Sequence, residues 1–406
     1  MKPVLPMLGS CLVSLSAAGG TADAFFDRLD QALTVSGFDD QVRARVSGLA
    51  DVEGYLFEQP TPGLLDTGRD SLVNPRLTLF LDTQVGARWY AFAQARVDRG
   101  FDPADKTAEI RADEYALRFT PWEDGRFNLQ VGKAAAVTGN WSQRHLSWDN
   151  PFITAPLLYE NVTTIYDHEA PAAAADFVHG LDEPKYEYNP IVWGPAYGSG
   201  ITASGRAGKF DYAVELKNSA LSARPESWDA TEIGFGEPTY NARIGYRPDM
   251  RWNLGVSGSA GPYLRPEAAP MLPAGHGIGD YRQFVVAQDI RFELHHLQVW
   301  AEAYESRFEV PNVGDADVAA YYVEAKYKFS PRFFAALRWN QQLYASVPDG
   351  HGGTFAWDRD LWRIDAAVGF RFTAHTQLKL QYGFQQETVA PRRAGSSIAA
   401  QFTIRF

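Results

Sequence analysis

The chain is poor in exactly those features that most enzymes and helical membrane proteins display. Of its 406 residues only Cys11 is a cysteine, and cleavage of a signal peptide after Ala24 would remove it, so neither a disulfide framework nor thiolate chemistry is expected of the mature chain. No run of 18 or more apolar residues is present, which removes any spanning helix. Positive charge is in deficit: 38 Lys and Arg against 49 Asp and Glu give a formal charge of −11. A nucleic-acid partner needs clustered cations against phosphate, so none is expected. There is no nucleophile elbow, no His-Glu-x-x-His and no haem Cys-x-x-Cys-His, so no enzyme and no cofactor are expected.

Aromatics (14%) and glycines (35) are plentiful instead, and they accompany a period-two pattern. Arg363, Asp365, Ala367, Gly369 and Arg371 alternate with Trp362, Ile364, Ala366, Val368 and Phe370. Gln377, Lys379, Gln381, Gly383, Gln385 and Glu387 alternate with Leu378, Leu380, Tyr382 and Phe384. Successive strand side chains point to opposite faces, so these are strands with one polar and one apolar face. Several reach ten residues or more, the length of a tilted membrane crossing.

Read this way, strands are predicted at 41–57, 75–84, 86–98, 109–120, 126–136, 198–206, 209–219, 238–247, 251–261, 281–293, 295–309, 317–329, 332–346, 360–372, 375–388 and 396–406. Sixteen is an even number, as a closed bacterial barrel with both ends in the periplasm requires. Every second connection is tight, as at Gln84-Val85-Gly86, Ala207-Gly208, Leu294-His295, Ser330-Pro331 and Ala374-His375. The intervening ones, such as 58–74, 99–108, 220–237 and 262–280, are longer. The expected fold is all-β, a closed antiparallel transmembrane β-barrel with a long third extracellular loop. It would sit in the cell outer membrane as a multi-pass barrel, in contact with lipid and lipopolysaccharide.

The ends fit that destination. Residues 1–24 read as a signal peptide: Lys2, an apolar stretch from Val4 to Leu15, and Ala22-Asp23-Ala24 as a cleavage site. Leu8-Gly9-Ser10-Cys11 also looks like a lipoprotein box, but its apolar core is short. Residues 25–40 form a short N-terminal periplasmic segment. Its apolar positions 25, 26, 29 and 33 have helical spacing, either as a free helix or as one tucked against the barrel base. The barrel itself spans 41–406.

Faces assign the chemistry. Trp89, Val256, Ile290, Val323, Ile364, Leu380 and Ile404 are expected to face lipid. Phe119, Trp122, Tyr246, Trp252, Phe292, Phe329, Phe372 and Phe406 suit an interfacial girdle, with core packing as the alternative. Inward bases are dense on the strands flanking closure: Arg43, Arg45, Arg76, Arg88, Arg363, Arg371, Lys379 and Arg405. Inward acids include Asp51, Glu53, Glu302, Glu324 and Asp365. Charges this numerous need water or partners, so the interior is a hydrated channel or a salt-bridged plug.

The longest loop, 137–197, carries Asp149, Glu160, Asp167, Glu169, Asp176, Asp182, Glu183 and Glu187 against only Arg144 and Lys185. Structureless loops of that length are usually functional. The expectation is that it bends inward as a pore constriction facing the basic wall, with Glu160, Asp167 and Glu169 favoured because they lie mid-loop. Asp182, Glu183 and Glu187 lack a defined calcium spacing, so no metal is expected.

Sixteen strands with the longest loop after the fifth resembles the trimeric porins of Gram-negative outer membranes. That resemblance implies a homotrimer, passage of small hydrophilic solutes or ions, and a third loop folded into the barrel. An alternating last strand ending in Phe406 resembles the signal read by the barrel assembly machinery. The segment FNLQVGKAAAVTGNW, from Phe127 to Trp141, is similar to the phosphate-selective porin family at Val131, Gly132, Lys133 and Gly139. That family's lysine-rich constriction is not matched, because this loop is acidic, and phosphate is not carried over. The alternative reading is a plugged barrel serving as adhesin, scaffold or outer-membrane hydrolase.

Overall fold

A computed structural model describes residues 23–58, 65, 69–99, 107–179, 187–232, 236–388 and 393–406. Sixteen long antiparallel strands close on themselves: Val42–Phe57 (β1), Ser71–Val85 (β2), Trp89–Asp98 (β3), Glu109–Phe119 (β4), Asn128–Ala134 (β5), Gly198–Ala207 (β6), Phe210–Lys217 (β7), Thr239–Tyr246 (β8), Trp252–Pro262 (β9), Arg282–Leu294 (β10), Leu297–Val310 (β11), Gly314–Lys328 (β12), Phe333–Tyr344 (β13), Leu361–Arg371 (β14), Thr376–Glu387 (β15) and Ala394–Arg405 (β16). Each pairs with its sequence neighbour, and β16 pairs back onto β1 from Leu49↔Arg405 to Phe57↔Ser397. Closure is what lipid demands, since it offers nothing to an open strand edge. Phe406 extends the seam, its backbone exchanging hydrogen bonds with Gly48 at 2.9 and 3.1 Å.

The outward face is apolar, with Trp89, Val256, Ile290, Val323 and Leu380 all exposed on it. Ring pairs gather at the end carrying the tight turns: Trp89–Phe119 at 4.6 Å, Trp252–Phe292 at 4.5 Å and Phe370–Phe372 at 5.0 Å. This is an interfacial belt, where rings sit half in lipid and half in headgroups.

Two boundaries differ from the periodic reading, each for a physical reason. β2 begins at Ser71 and runs through Pro75. Proline lacks an N–H, but pairing with β3 stops at Leu77↔Val97, so no partner strand is deprived of that donor. Pairing of β11 with β12 continues to Val310↔Gly314, leaving 311–313 as an outer connection as tight as a periplasmic turn. Asn312, with φ of 62°, takes the left-handed conformation that such a turn needs.

The N-terminal segment is docked at the barrel base. Residues 23–32 are helical, and Thr34–Gly37 forms a short strand on the start of β1. Phe26 stacks on His375 at 5.4 Å, Asp27 lies 3.1 Å from the same imidazole, and Asp30 pairs with Arg45 at 2.8 Å. Residues 1–22, which hold Cys11 and all but the last two residues of the expected 1–24 signal peptide, lie outside the described residues.

Candidate functional site: the lumen and its inward loop

The connection between β5 and β6 does not lie over the barrel mouth. It crosses to the far wall and is held there by strands β11 to β15. Gly139, with φ of 73°, passes so close to the wall that a Cβ would strike Tyr159, Tyr304 and Glu302. Immediately after it, the backbone N–H groups of Asn140 and Trp141 donate to Glu302 at 2.6 and 2.7 Å. Gly132 also has positive φ, and Lys133 beside it pairs with Asp229 at 3.0 Å.

Further along, the wall's cations take up loop backbone. The Lys379 ammonium, fully buried, donates to the carbonyls of Ser147, Asn150 and Phe152 at 2.8, 3.0 and 3.0 Å. Arg338 reaches the carbonyls of Thr154 and Ala155 at 3.2 and 3.0 Å. Gln381 accepts from the N–H groups of Ile153 and Thr154 at 2.6 and 3.1 Å. Trp141, Phe152, Leu157, Leu158, Tyr159 and Trp193 are buried inside the barrel.

A chain of alternating charge ties loop to wall. Loop Arg144 pairs with Glu324, which lies 3.6 Å from Arg338; Arg338 and Arg363 share Asp365 at 3.0 and 3.1 Å; and Arg363 pairs with loop Glu160. Water is scarce there, with Glu324, Arg338 and Asp365 at or below 1% exposed. Buried charges survive only when paired in this way.

The sequence-derived site residues therefore separate. Glu160 is committed to Arg363, and Asp167 is fully buried against Asn189 at 3.0 Å and Arg224 at 3.4 Å. Glu187 joins Arg224 at 3.4 Å, Glu169 is half-buried, and Asp149 and Asp176 are exposed. Asp182 and Glu183 lie outside the described residues. On the wall, Arg76 bridges Asp51 at 3.3 Å and Glu53 at 2.5 Å. Arg43, Arg45 and Arg88 are exposed at the periplasmic rim, and Arg371 and Arg405 flank Trp148.

In one further cluster alternation puts Arg96 inward but misses its neighbours Arg111 and Asp113. Arg96 lies 3.2 Å from Asp98 and 2.8 Å from Asp113, and Arg111 lies 3.0 Å from Asp98 and 3.6 Å from Asp113. The register slips between Gln94 and Ala95, so a bulge brings Asp113 inward beside Glu114. The adjacent acids Asp113 and Glu114 were the available signal, because a strict alternation would leave one of them in lipid.

Two cavities remain beside the loop on the β1–β4 side. One, of about 70 Å³, is bounded by Asp51, Glu53, Arg76 and Arg96 on the wall and by Trp141, Asn150 and Glu160 on the loop. The other, of about 370 Å³, lies against Asp82, Tyr90, Gln94 and Glu114. His145 and Leu146 line both. His145 Nδ1 lies 2.6 Å from the Ser142 carbonyl and so carries the proton; Nε2 then accepts from the Tyr197 hydroxyl at 2.7 Å.

Burial pushes the imidazole down from 6.5 to about 4. A His favoured in its neutral form contributes stability above its unfolded pKa and loses it as pH falls from 6.5 toward 4. Acidification to pH 4 is therefore expected to break the Tyr197 bond and raise open-channel noise. His145→Asn should remove that pH dependence, and unchanged noise in the unsubstituted protein would count against it.

The fold is that of an outer-membrane porin-type barrel. No family model and no curated protein sequence matches the chain. Solved structures do. The Salmonella typhi OmpF complex with daunomycin is similar at 11% identity and a TM-score of 0.57, over 92% of this chain and 100% of that one. The anion-selective porin from Comamonas acidovorans gives 10% identity and 0.56 over 90% and 100%. The outer membrane channel DcaP of Acinetobacter baumannii gives 11% and 0.53 over 92% and 100%. Identities this low carry the architecture.

Proposed function

We propose that the protein is an outer-membrane porin, a passive diffusion channel for small hydrophilic solutes or ions, with loop 137–197 as its constriction. The observation that supports this most is the pair of cavities between the loop and β1–β4, both lined by His145 and Leu146. Asp51, Glu53, Arg76 and Arg96 from the wall and Glu160 from the loop border the smaller cavity, so charges of both signs face it. Opposed charges on a narrow wall orient dipolar solutes and screen ions.

A homotrimer is part of this reading. The outward face of β1 bears Ala44, Val46, Ala50, Val52 and Gly54, and that of β3 bears Ala91, Ala93 and Ala95. Their small side chains, beyond the Trp89 ring at the start of β3, suit close packing of barrel on barrel in lipid. Lipopolysaccharide would contact the remaining outer rim, and Phe406 would serve the assembly machinery.

Burial of Arg338 and Lys379 favours the opposite reading, a plugged barrel acting as adhesin, scaffold or hydrolase. Single-channel recording of refolded protein in planar bilayers separates the two. Stepwise, ohmic conductance is expected. Persistent silence from protein verified as folded would overturn the porin.

A further inference from the structure

Strands β12, β14 and β16 run in the same direction, and each ends at the periplasmic rim. Their last inward residues are Lys328, Arg371 and Arg405, with Lys326 one inward step above Lys328. Alternate strands thus bring a half-ring of cations to one height. The loop supplies its centre: Lys379 pins the carbonyls on either side of Trp148. The indole then lies 4.9 Å from the Arg371 guanidinium and 4.4 Å from that of Arg405.

These cations are not neutralised in the way of the rest of the lumen. Arg371 bonds the Gln377 amide oxygen at 3.0 Å and Arg405 the Ala374 carbonyl at 3.1 Å, both neutral acceptors. Lys326 is 6% exposed and sits over the Phe334 ring at 4.3 Å, with no hydrogen bond or ion pair among the described residues. Of the nearby acids, Glu324 is occupied by Arg144 and Arg338, and Glu293 at the rim is held by Arg291 and Gln298. Among the described residues, exposed Asp149 is an acid whose charge bears on both Lys326 and Arg371. An ammonium with so little exposure and no paired carboxylate favours a mobile anion beside it.

We infer that the periplasmic mouth holds a binding station for small multivalent oxyanions, formed by Lys326, Arg371 and Arg405 around Trp148. Two guanidinium forks and one ammonium suit a ligand with separated carboxylate or phosphate oxygens, since forks grip such oxygens in pairs and the ammonium adds a point charge. The inference rests on the reading of the lumen as reached by solutes, at least from the periplasmic side.

Calorimetric titration of the folded protein in detergent at low salt, with inorganic phosphate and with succinate, tests it. Saturable binding of at least one probe is expected, and chloride should compete. The triple variant Lys326→Met, Arg371→Gln, Arg405→Gln should bind about tenfold or more weakly. Asp149→Asn should bind more tightly, and Arg247→Gln, on the opposite wall, should match the unsubstituted protein. If the triple variant does not fold, Arg405→Gln alone keeps the test, because that side chain is exposed at the strand end.

Absence of binding by the folded protein, or equal binding by the triple variant, would overturn the station. Binding does not require passage through the pore. A silent channel that binds phosphate would therefore sink the porin reading and keep the station, and a conducting channel that binds neither probe would do the reverse.

Discussion

Asp365→Ala is expected to loosen the inward loop, raise single-channel conductance severalfold and lower the urea midpoint of the folded barrel. Asp365 is 1% exposed and accepts from Arg338 at 3.0 Å, Arg363 at 3.1 Å, Asn340 at 3.0 Å and Gln381 at 3.2 Å. Removing it leaves two guanidinium groups facing each other in a dry wall. Breaking a buried pair by deleting one partner typically costs about 3–5 kcal/mol, because a charge is left uncompensated. The barrel ladder cannot relax to relieve that, but the loop can. Arg338 and Arg363 are the groups that grip Thr154, Ala155 and Glu160, so water admitted to solvate them would enter where the loop now lies.

Asp365→Asn keeps an acceptor while losing the charge, and a smaller shift of the same sign is expected. The measurements are conductance in planar bilayers and urea titration followed by heat-modifiable gel mobility. Conductance and midpoint both unchanged in Asp365→Ala would show that this network does not hold the loop.

The strands were legible because lipid on one side and water or buried charge on the other write a two-residue period directly into the chain. That is why 360–372 and 375–388 match β14 and β15 closely, where Arg363, Asp365, Lys379 and Gln381 keep strict step with Ile364, Leu378 and Leu380. The period fails where backbone geometry departs from it. Pro75 looks like a strand boundary until the end of β3 pairing shows that its missing donor is not needed. Asp113 looks outward until the bulge opposite Gln94 is seen.

The loop's path was legible only in outline. Its length and its rings announce ordered packing, but nothing local says that Ile153 will meet Gln381, 228 residues away. Charge sign misled in one respect. Acids on the loop and bases on the wall suggest side chain against side chain across a gap, yet the three Lys379 hydrogen bonds go to loop carbonyls and Arg338 reaches two more. Backbone oxygen is present at every residue, so composition cannot reveal that kind of anchor.

Leu380→Arg should destabilise the folded barrel by about 2–4 kcal/mol in lipid, the cost of an arginine on the lipid face near the bilayer midplane. Leu380 is 49% exposed on the outward face. Its neighbours across the ladder are Val368 and Ala400, both apolar. Below it lies the ring pair Phe370–Phe372 at 5.0 Å, and above it Trp362–Phe384 at 5.6 Å and Trp339–Trp362 at 5.2 Å. Those two belts mark the interfaces, so Leu380 sits between them and a guanidinium there has a long way to reach water. Leu56→Arg, one residue from the outer end of β1, samples the same face near an interface, where the cost falls to about 0–1 kcal/mol. Leu380→Phe keeps the site apolar and should leave stability nearly unchanged. Urea titration of the three variants in vesicles gives the order directly. Equal midpoints for Leu380→Arg and Leu56→Arg would mean that Leu380 does not sit deeper in a bilayer than Leu56, and the placement of the two belts at the interfaces would fail.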